Sequence, residues 1–199
     1  MTGDDDYKRK MAHRKAVQES RVANRSAEKG LLLVHTGNGK GKTTAALGLM
    51  VRAFGHGFHV GLVQFVKGGW QPGEVAALER FSDLLTHRVM GEGFTWETQD
   101  RDRDRAAAEA AWVVSKEMLA DPRYRLVVLD ELTIPLRYGT LATDEVVTTL
   151  ANRRPDLHVI VTGRHAPPAL IDSADLVTEM APTKHPFQSG IKAQIGIEF

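Results

Sequence analysis

The stretch "LLLVHTGNGKGKTTAALGL", residues 31–49, constrains the fold more than any other part of this chain. A short apolar run of strand length enters a turn containing Gly37, Gly39 and Gly41. The turn leads into a segment rich in Ala and Leu, which is helix composition. Glycines at alternate positions let the backbone turn tightly and aim successive N–H groups at one point. A helix that begins there adds the positive end of its dipole. Strand, glycine turn and helix together make a cradle for a polyphosphate. Lys42 is placed to meet the terminal phosphates and Thr43 to offer a hydroxyl to Mg²⁺. Asn38, Gly39, Lys40, Gly41 and Thr44 complete the lining, and Lys40 brings a second cation suited to a highly charged leaving group. The spacing departs from the usual Gly, four residues, Gly-Lys-Ser/Thr, because Thr36 holds the place of the first glycine.

The same alternation continues along the chain. Apolar runs at 31–35, 59–66, 85–90, 124–130 and 158–163, with a sixth at 176–180, are separated by helix-like segments at 42–55, 73–80, 102–120, 143–153 and 167–174. Near-continuous Val, Leu and Ile over strand length indicates strands buried on both faces. The predicted fold class is α/β: a P-loop NTPase-like (RecA-like), mostly parallel sheet of about six strands with helices on both faces. Residues 30–199 are expected to form this one domain. Residues 1–29, dense in charge with only a thin stripe of Ala12, Ala16, Val17 and Val22, read as an arm, partly helical or disordered.

Composition closes off other classes. The chain has 199 residues, a net charge of +1 and no cysteine, which excludes disulfide frameworks and thiolate metal sites. Balanced charge gives no support to a broad nucleic-acid interface. No apolar stretch reaches membrane-spanning length and no signal-like segment opens the sequence, so a cytoplasmic protein with neither nucleic acid nor membrane as partner is expected.

A phosphate cradle needs a metal site at the end of another strand. "LVVLDEL", 126–132, provides four apolar residues followed by Asp130 and Glu131; the sequence does not rank the two carboxylates. "VQFVKGGW", 63–70, leaves a strand through Lys67, placing that lysine near the phosphates and Trp70 near a flat ligand or a lid. Phe94 and Trp96, in "GEGFTWETQ", either pack into the core or face a ligand. The tail 182–199, with Lys184, His185 and Lys192, is expected to pack across the sheet edge or the crevice.

Taken together, "TGNGKGKTTAALGLMVRAFGHGFHVGLVQFVKG", "GFTWETQ", "LVVLDELT", "VTGR" and "KHPFQSGIKAQIGI" resemble the bacterial ATP:corrinoid adenosyltransferases of the CobA/BtuR type, from about residue 7 to the C-terminus. That family shares the shortened loop. The resemblance implies that the 5′-deoxyadenosyl group of ATP passes to the Co(I) of a corrinoid, with triphosphate released and no general base required. ATP would lie in the loop in reversed polarity, presenting C5′ to the cobalt. By the same resemblance Gly37 to Thr44 hold ATP, Arg52 reaches the nucleotide from the following helix, and Thr43, Glu131 and Asp130 hold Mg²⁺ or Mn²⁺. Phe94 and Trp96 sit against the lower face of the corrin, and with Lys42 they are the residues assigned to catalysis. The arm closes over the corrinoid, an electron donor such as a flavoprotein supplies Co(I), and a homodimer is expected. The alternative from another class is a P-loop ATPase driving a protein partner, for which Arg164 is a candidate finger; a small-molecule kinase is a third reading.

Overall fold

The computed structural model describes residues 3–66, 73–91 and 100–198. Six parallel strands form one sheet: β1 (Leu32–Thr36), β2 (His59–Gln64), β3 (Leu85–Val89), β4 (Tyr124–Asp130), β5 (His158–Thr162) and β6 (Leu176–Glu179). Their spatial order is β3-β2-β4-β5-β1-β6. All six predicted strands are present, and the sheet is parallel throughout.

Alternation along the strands shows why both faces are covered. Leu126 and Val128 of β4 join Val60, Leu62 and Ile160 under α2 (Lys42–Gly55), whose Ala46, Met50, Ala53 and Phe54 recur at helical spacing. Val127 and Leu129 point the other way. They meet Ala111, Trp112, Met118 and Leu119 of α4 (Arg101–Ala120) and Val146 and Leu150 of α6 (Thr143–Ala151). Asp100 caps α4, its side chain accepting from the backbone N–H groups of Asp102 and Arg103. By contrast α2 begins at Gly41 with φ 107° and no side-chain cap. Its first amides are left open for something else.

The remaining helices are α1 (Gly3–Ala23), α3 (Gly73–Leu78), α5 (Thr133–Tyr138) and α7 (Pro168–Ser173). The arm is therefore helical over most of its length. Its stability is local: Asp4–Lys8 and Asp6–Lys10 pair one turn apart, the acids sit in the first turn, and Tyr7, Val17 and Val22 stay exposed. Sequence reading missed α5, whose "TIPLRY" carries a proline and begins one residue after the acidic pair. The tail meets the expectation in part: Glu198 pairs with Lys40 of the phosphate loop, but the tail's apolar side chains stay exposed. Phe187, Ile195 and Ile197 are 77%, 84% and 85% exposed, so its apolar residues are not buried within this chain.

One feature of the topology sets up the site. The loop strand β1 and the acidic strand β4 are not neighbours, because β5 lies between them. Two strand spacings, about 9–10 Å, separate their ends, and the end of β5 forms the floor of that gap.

Candidate active site

The loop after β1 is seated from behind by the far end of the chain. Met180 donates its N–H to the Thr36 carbonyl, 2.8 Å, and accepts the Gly39 N–H on its own carbonyl, 2.6 Å. A Cβ on Gly37 or Gly39 would fall 2.5 or 2.7 Å from the Met180 carbonyl oxygen, so only glycine permits this approach. Gly37, with φ 92°, needs glycine for its conformation as well.

Lys42 opens α2 and is 6% exposed; its Nζ donates to the Gly39 carbonyl at 2.6 Å. Burial lowers its pKa, opposed first by the Glu131 charge. A desolvated ammonium whose recorded partner is one loop carbonyl gains from any anion that comes within reach. Thr43 is half-buried and donates its hydroxyl hydrogen to Asp130 Oδ1 at 2.9 Å. Thr44 and Asn38 are exposed on the rim. Lys40 is also exposed, but it is paired with Glu198 of the tail at 2.6 Å. Arg52 lies exposed in the last turn of α2, about 15 Å along the axis from Lys42 at 1.5 Å per residue, and is not brought to the loop within this chain.

The structure distinguishes the two carboxylates. Asp130 is 4% exposed and both its oxygens are taken up: Oδ1 accepts from Thr43 and from Thr162 Oγ1 (2.6 Å), and Oδ2 accepts from Gln64 Nε2 (3.2 Å). Glu131 follows in the left-handed region with φ 59°, its N–H given to Thr162 Oγ1 at 2.9 Å. One hydroxyl of β5 thus ties both acidic residues together, donating to the first and accepting from the second. Among the described residues no side chain hydrogen-bonds the Glu131 carboxylate. Burial, and then the neighbouring Asp130 charge, raise its pKa against the pull of Lys42 and Arg164.

Strain at a non-glycine residue of this kind persists where surrounding structure over-determines it. Here Gly163 supplies the clearance. A Cβ at Gly163 would meet Thr133 Oγ1 at 2.0 Å and Glu131 Oε2 at 3.3 Å, and Thr133 in turn donates to the Arg164 carbonyl, 2.7 Å. Thr162, Gly163, Gln64 and Met180 were not singled out in the sequence. Each acts at or just past the end of a strand, where its partner comes from a distant part of the chain. Lys67, Trp70, Phe94 and Trp96 lie outside the described residues.

The donor set suits a small hard cation. It offers a threonine hydroxyl and a carboxylate, with a second carboxylate behind them, and no sulfur or imidazole. Among the described residues no group of three or more His, Cys, Asp or Glu makes a cage by itself.

A raised Glu131 pKa has a consequence for stability. The raised value already includes attraction to Lys42 and Arg164, so at neutral pH the ionised carboxylate is a net cost to the ligand-free fold. Its contribution is favourable in acid and lost as pH rises through the folded-state pKa. Glu131→Gln is therefore expected to melt higher than the parent at neutral pH without ligand, with the gap closing as pH falls. The ATP- and Mg²⁺-induced rise in melting temperature should shrink in the same variant. A lower ligand-free melt at neutral pH would contradict this assignment.

The chain as a whole resembles known proteins. The chain matches the family described as ATP:corrinoid adenosyltransferase BtuR/CobO/CobP over residues 28–199. Residues 1–22 match the separate description "Cob(I)alamin adenosyltransferase N terminal". A corrinoid adenosyltransferase of Pseudomonas aeruginosa is 53% identical over 196 residues, covering 98% of this chain and 97% of that protein. One from Sinorhizobium is 50% identical, covering 96% and 90%. The corrinoid adenosyltransferase CobA of Salmonella typhimurium is 47% identical, covering 98% and 99%. With a family match over residues 28–199 and relatives of this identity and coverage, the chain belongs to the ATP:corrinoid adenosyltransferase family.

Proposed function

We infer that this chain transfers the 5′-deoxyadenosyl group of ATP to the Co(I) of a corrinoid and releases triphosphate. Cobalt attacks C5′, the C5′–O5′ bond breaks with its electron pair leaving on the triphosphate, and cobalt becomes formally Co(III). The nucleophile carries no proton, so no base is needed. The residues act by holding ATP and stabilising the leaving group. The single observation that supports this reading best is the corner where Lys42 Nζ turns into the loop and the Thr43 hydroxyl is fixed by Asp130.

In this reading Gly37 to Thr44 bind the triphosphate, with Lys42 the main cation. ATP lies reversed, so that C5′ and not the γ-phosphorus faces the cobalt. Thr43 and Glu131 hold Mg²⁺ while Asp130 orients Thr43 from behind. Mg²⁺ supplies charge neutralisation of the departing triphosphate. Lys40 joins the phosphates only after leaving Glu198. Lys67 borders the same crevice. Phe94 and Trp96 exclude water and the lower ligand from the corrin's lower face, which makes Co(I) accessible to a mild reductant of the flavoprotein class. The arm, residues 1–29, covers the bound corrinoid. The working unit is a homodimer in the cytoplasm. Among the described residues no helix is long and apolar enough to cross a membrane.

The product separates this reading from the others. With ATP, Mg²⁺ and chemically reduced corrinoid, triphosphate is expected in amounts equal to the adenosylated corrinoid, with little ADP. Corrinoid-independent release of phosphate and ADP would support a motor or switch, and ADP with a phosphorylated acceptor would support a kinase.

A further inference from the structure

Gln64 closes β2 directly opposite Asp130 in the β2–β4 register, and His87 stands on β3 beyond it. The Gln64 amide is held at both ends: Nε2 lies 3.2 Å from Asp130 Oδ2 and Oε1 lies 2.9 Å from His87 Nε2. An ionised carboxylate can only accept, so the amide nitrogen must face Asp130 and the amide oxygen must face His87. His87 Nε2 therefore carries the hydrogen. Burial lowers the His87 pKa, opposed by the Asp130 charge, which favours the neutral ring.

A directed row of donors and acceptors results. His87 donates to Gln64, Gln64 donates to Asp130, and Asp130 receives Thr43 on its other oxygen, with Thr162 entering from β5. Once the Thr43 hydroxyl has given its hydrogen to Asp130, both its lone pairs are free for a cation. Without Gln64 the Asp130 carboxylate is free to rotate about its last bond and share itself differently between the two threonines. Gln64 also receives the Met90 N–H on its main-chain carbonyl, 3.0 Å, so its backbone is fixed between β4 and the segment following β3.

We propose that Gln64 and His87 are positioning residues for the metal–triphosphate corner, acting through Asp130 to hold the Thr43 hydroxyl in its cation-binding orientation. The proposal rests on the reading that a divalent cation sits at Thr43 and Glu131. It assigns a task to two residues that reach Thr43 only through Asp130.

The test measures ATP affinity by calorimetry on the full-length protein, once with saturating Mg²⁺ and once with EDTA, for Gln64→Leu, His87→Leu and His87→Gln. In Mg²⁺, Gln64→Leu and His87→Leu should weaken ATP binding about 10-fold, the size typical of lost outer-shell partners. In EDTA they should match the parent. His87→Gln, which keeps an N–H donor, should recover most of the loss. The double variant Gln64→Leu/His87→Leu should be no worse than Gln64→Leu alone, because the two act in series. Equal weakening in Mg²⁺ and EDTA, or a lowered melting temperature with no metal-specific loss, would reduce the pair to packing and overturn the proposal. Normal Mg²⁺-dependent binding in both leucine variants would overturn it alone. ATP binding by the parent that ignores Mg²⁺ would overturn the metal corner first and this proposal with it. His87→Leu, on the half-exposed edge strand, keeps the test decisive if Gln64→Leu fails to fold.

Discussion

Lys42→Ala is expected to lower adenosyl transfer by at least about 10²–10³-fold, the cost of removing one preorganised group that stabilises developing charge. In the proposed reading the triphosphate leaving group concentrates negative charge as C5′–O5′ breaks, and Lys42, buried and turned into the loop, is the cation assigned to meet it. The loss should appear even when the corrinoid is supplied already as Co(I), since reduction is not the step affected. Stability should move the other way or not at all. Burial disfavours the Lys42 charge in the ligand-free protein, so alanine removes a desolvated ammonium along with its bond to the Gly39 carbonyl. Thermal melts should show an unchanged or slightly higher ligand-free midpoint and almost no shift on adding ATP. A variant that turns over like the parent would remove this loop from the chemistry. One that simply unfolds would make Lys42 a structural residue.

Gly163→Ala is expected to damage stability and the metal corner together. Its Cβ would lie 2.0 Å from Thr133 Oγ1 and 3.0 Å from Thr133 Cβ, on a residue whose φ of 138° an L side chain rarely adopts. Thr133 is fully buried and its hydroxyl serves the Arg164 carbonyl, so there is no free volume to receive it. Overpacking of this kind costs about 1–3 kcal/mol, and the backbone strain adds to it. For a chain of this length that corresponds to a fall of about 5–10 °C in melting temperature. Glu131 must also shift, because its Oε2 lies 3.3 Å from the new atom, so Mg²⁺-dependent ATP binding should fall with stability. Thr133→Ala in the same chain removes the nearest clash and should restore part of the melting temperature. If Gly163→Ala melts like the parent, the corner is looser than these distances require.

The alternation of apolar runs made the strands and most helices legible, and the strand–turn–helix unit made the phosphate loop legible, because both are local patterns. Strand order was not local. Nothing within residues 124–131 states that β5 will lie between them and β1, and therefore that Thr162 and Gly163 will form the floor of the site. The carboxylates could not be ranked from "LDEL" for the same reason: the groups that occupy Asp130 come from α2, β2 and β5. His87, in a half-exposed edge strand, carries no sequence mark at all; the register sets it across from Leu62, and its meaning arises from the side-chain contact it makes diagonally with Gln64. Lys40 was read by charge alone, which could not foresee an acidic residue near the C-terminus within reach. The apolar tail was read as packed because composition reports what a segment could bury and not what it finds to bury against.

The seat that Met180 gives to the phosphate loop has a bearing on how the protein is made. Every residue of the loop leaves the ribosome early, yet the loop's backing is the first residue after the last strand, and β6 must pair with β1 before that carbonyl can meet Gly39. A nascent chain therefore carries the whole phosphate motif through most of its synthesis without its seat. A message cut short just before the codons for β6 would yield a product with the loop sequence intact and its backing lost. Competence for ATP is in this sense a late event of translation, reached only when the two ends of the domain have met.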